Sequence, residues 1–181
     1  VSNSGYWGIP VTQGAEYHLS FAARRGEGAD IPLTASLESK DGKVYAKAPL
    51  SVTTATWSTF KTTLKSDSND TDARLVLRAN APGSLCLDMV SLFPAATWKG
   101  RPNGLRQDLA KMMEDLAPAF VRFPGGCWVE GDTMKESYRW KETVGPLQER
   151  RTQWNIWGYW ATHGLGYHEY LQLCEDLKAE P

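Results

Sequence analysis

Cys127, Trp128 and Glu130 bring a thiol, an indole and a carboxylate together directly behind the turn Pro124-Gly125-Gly126. In that order they offer nucleophilic attack or a polar contact, ring stacking, and proton transfer. Each has a quieter reading as well. Cys127 has no histidine beside it in sequence to activate the thiol, so it reads as a nucleophile, a substrate contact or a small packing residue; a lyase or esterase mechanism would rest on the thiol alone. Glu130 suits acid or base work in sugar chemistry, and it suits a salt bridge or a cap. Two adjacent glycines, Gly125 and Gly126, allow positive φ and leave room for a ligand beside the main chain. Arg122, just upstream, must find a carboxylate or point into the site if it lies inside a strand. Further on, Trp154, Trp157, Tyr159 and Trp160 form an aromatic knot next to Gly158 and Gly164. Part of it is expected to pack, with one Trp free to stack on a substrate ring. The clusters Arg139-Trp140-Lys141 and Glu149-Arg150-Arg151 read as solvated or as pinning a loop.

The elements that must hold these residues follow from periodicity. Ala119–Phe123 is a short apolar run of the kind expected for a strand buried on both faces. Before it, Asn103 serves as an N-cap for a helix with Leu105, Leu109, Met112, Met113 and Leu116 on one face, ended by Pro118. After it comes a loop from Pro124 to about Leu165, far longer than the usual connection of ~4–6 residues. A second amphipathic helix follows with Tyr170, Leu171, Cys174 and Leu177 as its inner stripe, and 179–181 begins another strand. Helix, strand, long loop, helix, strand is the rhythm of a parallel α/β fold, in which ligands bind at the strands' C-terminal ends.

Upstream of Pro94 the period is two. Tyr17, Leu19, Phe21 and Ala23 alternate with His18, Ser20 and Ala22; Leu33, Ala35 and Leu37 repeat the pattern. Asp41-Gly42 signals a hairpin, and Leu85, Leu87 and Met89 alternate with Cys86, Asp88 and Val90. Short strands joined by turns of Gly, Asp and Asn argue for an antiparallel β-sandwich, jelly-roll-like, over residues 1–95. The sequence thus divides into a sandwich, 1–95, and an α/β region, 96–181.

Composition narrows the function classes. With a net charge of −1 and a pI near 6.3 the chain lacks the basic footprint of nucleic-acid or anionic-membrane binding. No apolar run is long enough for a transmembrane helix. The 3 cysteines (Cys86, Cys127, Cys174) and 3 histidines (His18, His163, His168) show neither disulfide nor metal spacing, and no metal or cofactor is expected. Asp88 alone is a candidate calcium contact, against a plain hydrogen-bonded role. The 8 Trp are the unusual count, and aromatics in glycine-rich loops suit stacking against sugar rings. Lacking an initiator Met and ending at Glu180-Pro181, the sequence reads as a piece of a longer polypeptide.

Several runs together are similar to one family. Asn103-Gly104-Leu105-Arg106, Phe120-Val121-Arg122-Phe123-Pro124-Gly125-Gly126-Cys127, Val129-Glu130-Gly131, Trp140-Lys141, Val144-Gly145-Pro146, Gly164-Leu165-Gly166 with Glu169, and Cys174-Glu175-Asp176 closely resemble the α-L-arabinofuranosidases of glycoside hydrolase family 51. Gly8-Ile9-Pro10-Val11 and Leu87–Phe93 resemble the carbohydrate-binding-module-type sandwich beside that family's barrel. The resemblance implies a retaining exo-hydrolase acting on arabinan, arabinoxylan or related plant cell-wall glycans, on a (β/α)8 barrel, without a metal. It implies that Cys127 and Trp157 line the arabinose subsite, with Gly125 and Gly126 shaping the turn. It further implies that both catalytic glutamates lie outside this sequence, so that Glu130 is not one of them. An inactive piece comprising the sandwich and an incomplete TIM barrel is therefore expected, its second region poorly stable by itself. A secreted or periplasmic setting in a bacterial or fungal degrader is favoured, and a homo-oligomeric full-length protein is left open. The rival reading is a non-catalytic carbohydrate-binding protein displaying Trp7, Tyr45 and Trp57 on a sandwich face, as opposed to packing them in the core.

Overall fold

The alternation upstream of Pro94 becomes two antiparallel sheets. The computed structural model describes Val1–Pro181, which divide into two compact units, Val1–Gly104 and Leu105–Pro181. In the first, β1 (Ser2–Asn3) and β2 (Ile9–Val11) both pair with β7 (Asp70–Ala79), followed by β4 (Ile31–Glu38) and β5 (Val44–Val52). The opposing sheet runs β6 (Ser58–Lys65), β3 (Glu16–Arg25), β8 (Leu85–Pro94). Tyr17, Leu19, Phe21 and Ala23 of β3 face Leu33, Ala35 and Leu37 of β4 and Ala73, Leu75 and Leu77 of β7 in one apolar core, so the expected sandwich and its inward face both hold. The hairpin at Asp41-Gly42 also holds, closed by Gly42 N–H to the Ser39 carbonyl at 3.1 Å with Gly42 at φ 88°.

Two details depart from the alternation. In β8, Ser91 pairs with Ser20 and Asp88 with Ala22, so Met89 and Val90 together oppose Phe21. This bulge puts Met89 at φ 50° and turns it outward, against the expectation that it joins Leu85 and Leu87; Leu92 takes the inner position beyond the inserted residue. Asp88 accepts the Met89 N–H at 2.7 Å, a local hydrogen bond that supports the bulge. In β4, Ser36 and Glu38 are buried although they alternate with the core residues. Glu38 accepts from the Ser36 hydroxyl at 2.7 Å and from Arg74 and Arg78 at 3.4 Å each. Burial pushes its carboxyl up, but the Ser36 hydroxyl and the two guanidinium groups outweigh that and leave it below its usual range.

The second unit is built on α1 (Gln107–Asp115), the one-turn α2 (Cys127–Glu130) and α3 (Tyr167–Leu177). Asn103 does not cap α1. It lies at φ 50° in the turn that Gly104 N–H closes on the Arg101 carbonyl, and Arg106 holds the N-cap position. Asparagine after proline is well suited to such a turn, which competes with capping. The stripe Leu109, Met112, Met113 and Leu116 is exposed, and only Ala110 of α1 is buried. On α3 the inner face is Leu173, Cys174 and Leu177, with Leu171 turned outward and Tyr170 half-buried, one position off the expected stripe. The expected strand Ala119–Phe123 is reduced to one parallel bridge, Phe120 to Glu180, flanked by Val121 N–H to the Glu180 carbonyl and Glu180 N–H to the Ala119 carbonyl. Phe120 is 69% exposed, so this stretch is not buried on both faces: a backbone paired on one side at one residue leaves its side chains open. The parallel sense of the pairing, with α3 in the crossover, is that of an α/β unit.

Candidate functional site

The glycine turn behaves as its composition demands. Gly126 sits at φ 57° and ψ −143°, and its carbonyl accepts the Val129 N–H at 2.9 Å to start α2. Cys127 opens that helix with its thiol exposed and unpaired. Arg122 does not meet a carboxylate. It is exposed, with its guanidinium folded over Gly125 so closely that a Cβ there would lie 2.9 Å from Nη1. Glycine at 125 thus makes room for the Arg122 guanidinium. Glu130 is exposed and forms no ion pair.

Trp128 is the centre of the site. Its ring lies 6.0 Å from Tyr138, 5.8 Å from His163 and 6.4 Å from Trp157, and Tyr138 meets His163 edge-on at 5.5 Å. His163 is buried and held at φ 53°. Burial first, then the positive charges of Arg151 and Arg150, push its imidazole below the usual histidine range, against a smaller opposing pull from Glu142. The neutral ring packs as an aromatic. His18 and His168 are exposed.

A polar frame carries these aromatics. Arg150 donates to both oxygens of Glu169 at 2.7 and 2.9 Å, to the His163 carbonyl at 2.7 Å and to the Gly145 carbonyl at 2.9 and 3.0 Å. Glu169 in turn accepts the Gly166 N–H at 2.7 Å, capping α3. Burial raises the Glu169 carboxyl, but the bonds from Arg150 and Gly166 outweigh it and hold it below its usual range. Thr143, fully buried, accepts the Tyr167 N–H at 3.0 Å and donates to the Trp140 carbonyl at 2.8 Å. A Cβ on Gly166 would collide with the Thr143 carbonyl, so no larger residue fits there. Arg151 bridges to Glu142 at 2.7 Å and donates to the Lys135 carbonyl. The charged clusters therefore pin the loop, one of the two roles expected of them.

The segment expected to be an unbroken loop contains a β-hairpin, β9 (Gln153–Trp154) and β10 (Trp160–Ala161), in which Trp160 pairs with Trp154. Its turn is closed by Gly158 N–H to the Asn155 carbonyl at 3.0 Å and Trp157 N–H to Asn155 Oδ1 at 2.9 Å, with Gly158 at φ 80°. Trp154, Trp157, Tyr159 and Trp160 are all exposed. Tyr138, His163 and the Arg150–Glu169 pair are not marked as site residues by any spacing in the sequence and join the site through the fold. The spacing of Gly166 and Glu169, a helix start with an acid at its third residue, was the available signal for the cap; nothing in the spacing joins Arg150 to Glu169. No group of three or more His, Cys, Asp or Glu residues is arranged to hold a metal ion. An exposed thiol next to an open cage of rings can hold a neutral, ring-shaped ligand by stacking, with the thiol as a polar contact.

Residues 112–181 match the family model described as the alpha-L-arabinofuranosidase 1 domain. All of this chain aligns with alpha-L-arabinofuranosidase 1 of Arabidopsis thaliana at 39% identity over 186 residues. This chain belongs to the α-L-arabinofuranosidase family. A second member, the extracellular exo-alpha-L-arabinofuranosidase of Streptomyces chartreusis, is 41% identical over 193 residues. The chain spans 27% of the Arabidopsis arabinofuranosidase and 23% of the Streptomyces one. Among solved structures, the arabinose-bound GH51 α-L-arabinofuranosidase MgGH51 superimposes on 99% of this chain with a TM-score of 0.93 at 35% identity, using 30% of its own length. The arabinofuranosidase relatives thus share sequence with the sandwich as well as with the unit that carries Trp128.

Proposed function

We propose that these residues are part of a retaining, exo-acting α-L-arabinofuranosidase that removes terminal α-L-arabinofuranosyl groups from arabinan, arabinoxylan or related plant cell-wall glycans. In this reading residues 1–95 are an accessory sandwich of the carbohydrate-binding-module type. Residues 96–181 are the early part of a (β/α)8 barrel. The parallel Phe120–Glu180 bridge supports the barrel, because its connection carries α3 and sends the loop out from the C-terminal end of the Phe120 strand, where barrels bind substrate. Cys127 and Trp157 border the arabinose subsite, and Gly125 and Gly126 keep the main chain open to the sugar. The nucleophile and acid/base glutamates of a retaining glycosidase are assigned to other parts of the polypeptide, so that Glu130 is no catalyst and the 181 residues alone are inactive.

The observation that carries the site is the 6.4 Å approach of Trp157 to Trp128, the immediate neighbour of Cys127, across a sequence separation that only the fold can close. The test is hydrolysis of a chromogenic α-L-arabinofuranoside by the full-length protein and by its Cys127→Ala and Trp157→Ala variants. Cleavage by the parent, with kcat/KM reduced about tenfold or more in each variant, is the expected outcome. A full-length protein that leaves the glycoside intact yet is retained on arabinoxylan moves the reading to a non-catalytic carbohydrate-binding protein. Exposed Trp7 and Trp57 on the sandwich favour that alternative, whereas Tyr45 is buried in the core.

A further inference from the structure

The β9–β10 hairpin is built inside out. An ordinary surface hairpin buries its aromatics and shows its amides to water. Here Gln153 and Asn155 are 2% and 3% exposed, while Trp154, Trp160 and Trp157 are 38%, 63% and 60% exposed. Gln153 donates its side-chain N–H to the Glu136 carbonyl, and Asn155 accepts the Trp157 N–H but leaves Nδ2 buried without a partner. Burying an unsatisfied amide while exposing indoles is unfavourable on both counts for the fold alone. Such an arrangement is retained more readily where the aromatic face serves a ligand.

The two outer indoles form a defined surface. Trp154 and Trp160 are directly paired across the hairpin and so project from the same face, with ring centroids 5.4 Å apart at 68°. From Thr152 to Gly166 the sequence contains no Asp, Glu, Lys or Arg, so the hairpin supplies no formal charge with which to pair a charged ligand. The same hairpin carries Trp157 at its turn, and that ring reaches Trp128 in the candidate pocket. A neutral, amphipathic ligand extending out of the pocket along the hairpin fits all three facts.

We infer that Trp154 and Trp160 form a second stacking subsite, which takes sugar residues adjoining the arabinofuranosyl group on an uncharged polysaccharide. This rests on the reading of the pocket as an arabinose subsite. It assigns the hairpin a role in selecting polymer over small glycosides: stacking on the outer face contributes to polymer binding and contributes nothing to a substrate that ends at the pocket.

The experiment uses the full-length protein, its Trp154→Ala/Trp160→Ala double variant and the corresponding double Phe variant. KM for soluble arabinoxylan is expected to rise about tenfold in the Ala variant with kcat within about twofold, while kcat/KM on the aryl arabinofuranoside stays unchanged. The Phe variant, which keeps two stacking rings, recovers most of the polymer KM. An unaltered polymer KM overturns the subsite. So does an equal loss on both substrates with a lower melting temperature or a smaller assembly, which would mean that the rings pack against more of the chain or a second copy. Retardation in an arabinoxylan gel separates this inference from the activity it rests on. A parent protein that is retarded but cleaves nothing, with an Ala variant that is not retarded, sinks the arabinofuranosidase reading and keeps the subsite; a parent that is neither retarded nor active removes both.

Discussion

Each of the two units is stabilised internally by different physics. In the sandwich, strands of up to 10 residues bury an unbroken apolar set, with Phe21 stacked on Phe60 at 5.7 Å inside it. In the second unit the apolar stripe of α1 lies in the open, and the loop system is fixed by directional bonds: Arg150 to Glu169, Thr143 to Tyr167, Arg151 to Glu142. Area-driven burial tolerates small changes of shape, whereas a polar frame fails when one partner is removed. The Trp128 ring cluster and the hairpin are mounted on the more fragile of the two.

Truncation in the sandwich core should give the largest effect. Phe21→Ala removes a ring that is 1% exposed, and is expected to lower the sandwich's stability by about 3–5 kcal/mol, read as a fall in the urea midpoint followed by far-UV circular dichroism. A shift of less than 1 kcal/mol would mean that the core is loosely packed and the contrast between the units is false. Arg150→Met comes next. It strands Glu169 and frees the Gly145 and His163 carbonyls; because Glu169 retains 27% side-chain exposure, the cost is about 2–3 kcal/mol and not the full penalty of a deeply buried pair. Limited proteolysis should then cut within 131–166 while the sandwich stays intact. Arg150→Lys should restore little of the loss, since a single ammonium cannot reproduce the guanidinium fork.

This contrast also explains what could be read in the sequence. The period of two in Tyr17–Ala23 and Leu33–Leu37 specified the inner face of the sandwich without reference to any other part of the chain. It failed at Met89, where an inserted residue shifts the phase of β8, a change that depends on pairing with Ser20 and Ala22. In the second unit, Pro124-Gly125-Gly126 marked the turn, and the length of the following segment pointed to function. The hairpin is not legible in the sequence because its buried residues are amides and its exposed ones indoles, the inverse of the pattern that marks a half-buried strand. His163 had no spacing to give it away; it enters the cluster only because the fold brings residue 163 to Trp128 and Tyr138. The exposed stripe of α1 shows the opposite failure: a helical period identifies an amphipathic helix, but not whether its apolar face is covered.

The smallest effect is a pH dependence of the polar frame. His163 is held below the ordinary histidine value of 6.5, so below that pH the unfolded chain binds a proton that the folded one resists, and stability falls as pH drops through the folded value. Glu169 acts in the same direction lower down: its contribution is intact above the ordinary value of 4.5 and is lost as pH falls through its depressed folded value. Acidification should therefore weaken the second unit in two steps, whereas in the sandwich the buried Glu38, likewise held below its usual range, contributes to the lower step and not to the upper one. His163→Asn, which suits φ 53° without carrying a titrating ring, should abolish the upper step and leave the lower one. Hydrogen exchange of the amides from 131 to 166 at pH 7, 6, 5, 4 and 3 would resolve the steps. An upper step of the same size in His163→Asn would remove His163 as its source and shift attention to the other groups facing the frame, Glu142 first.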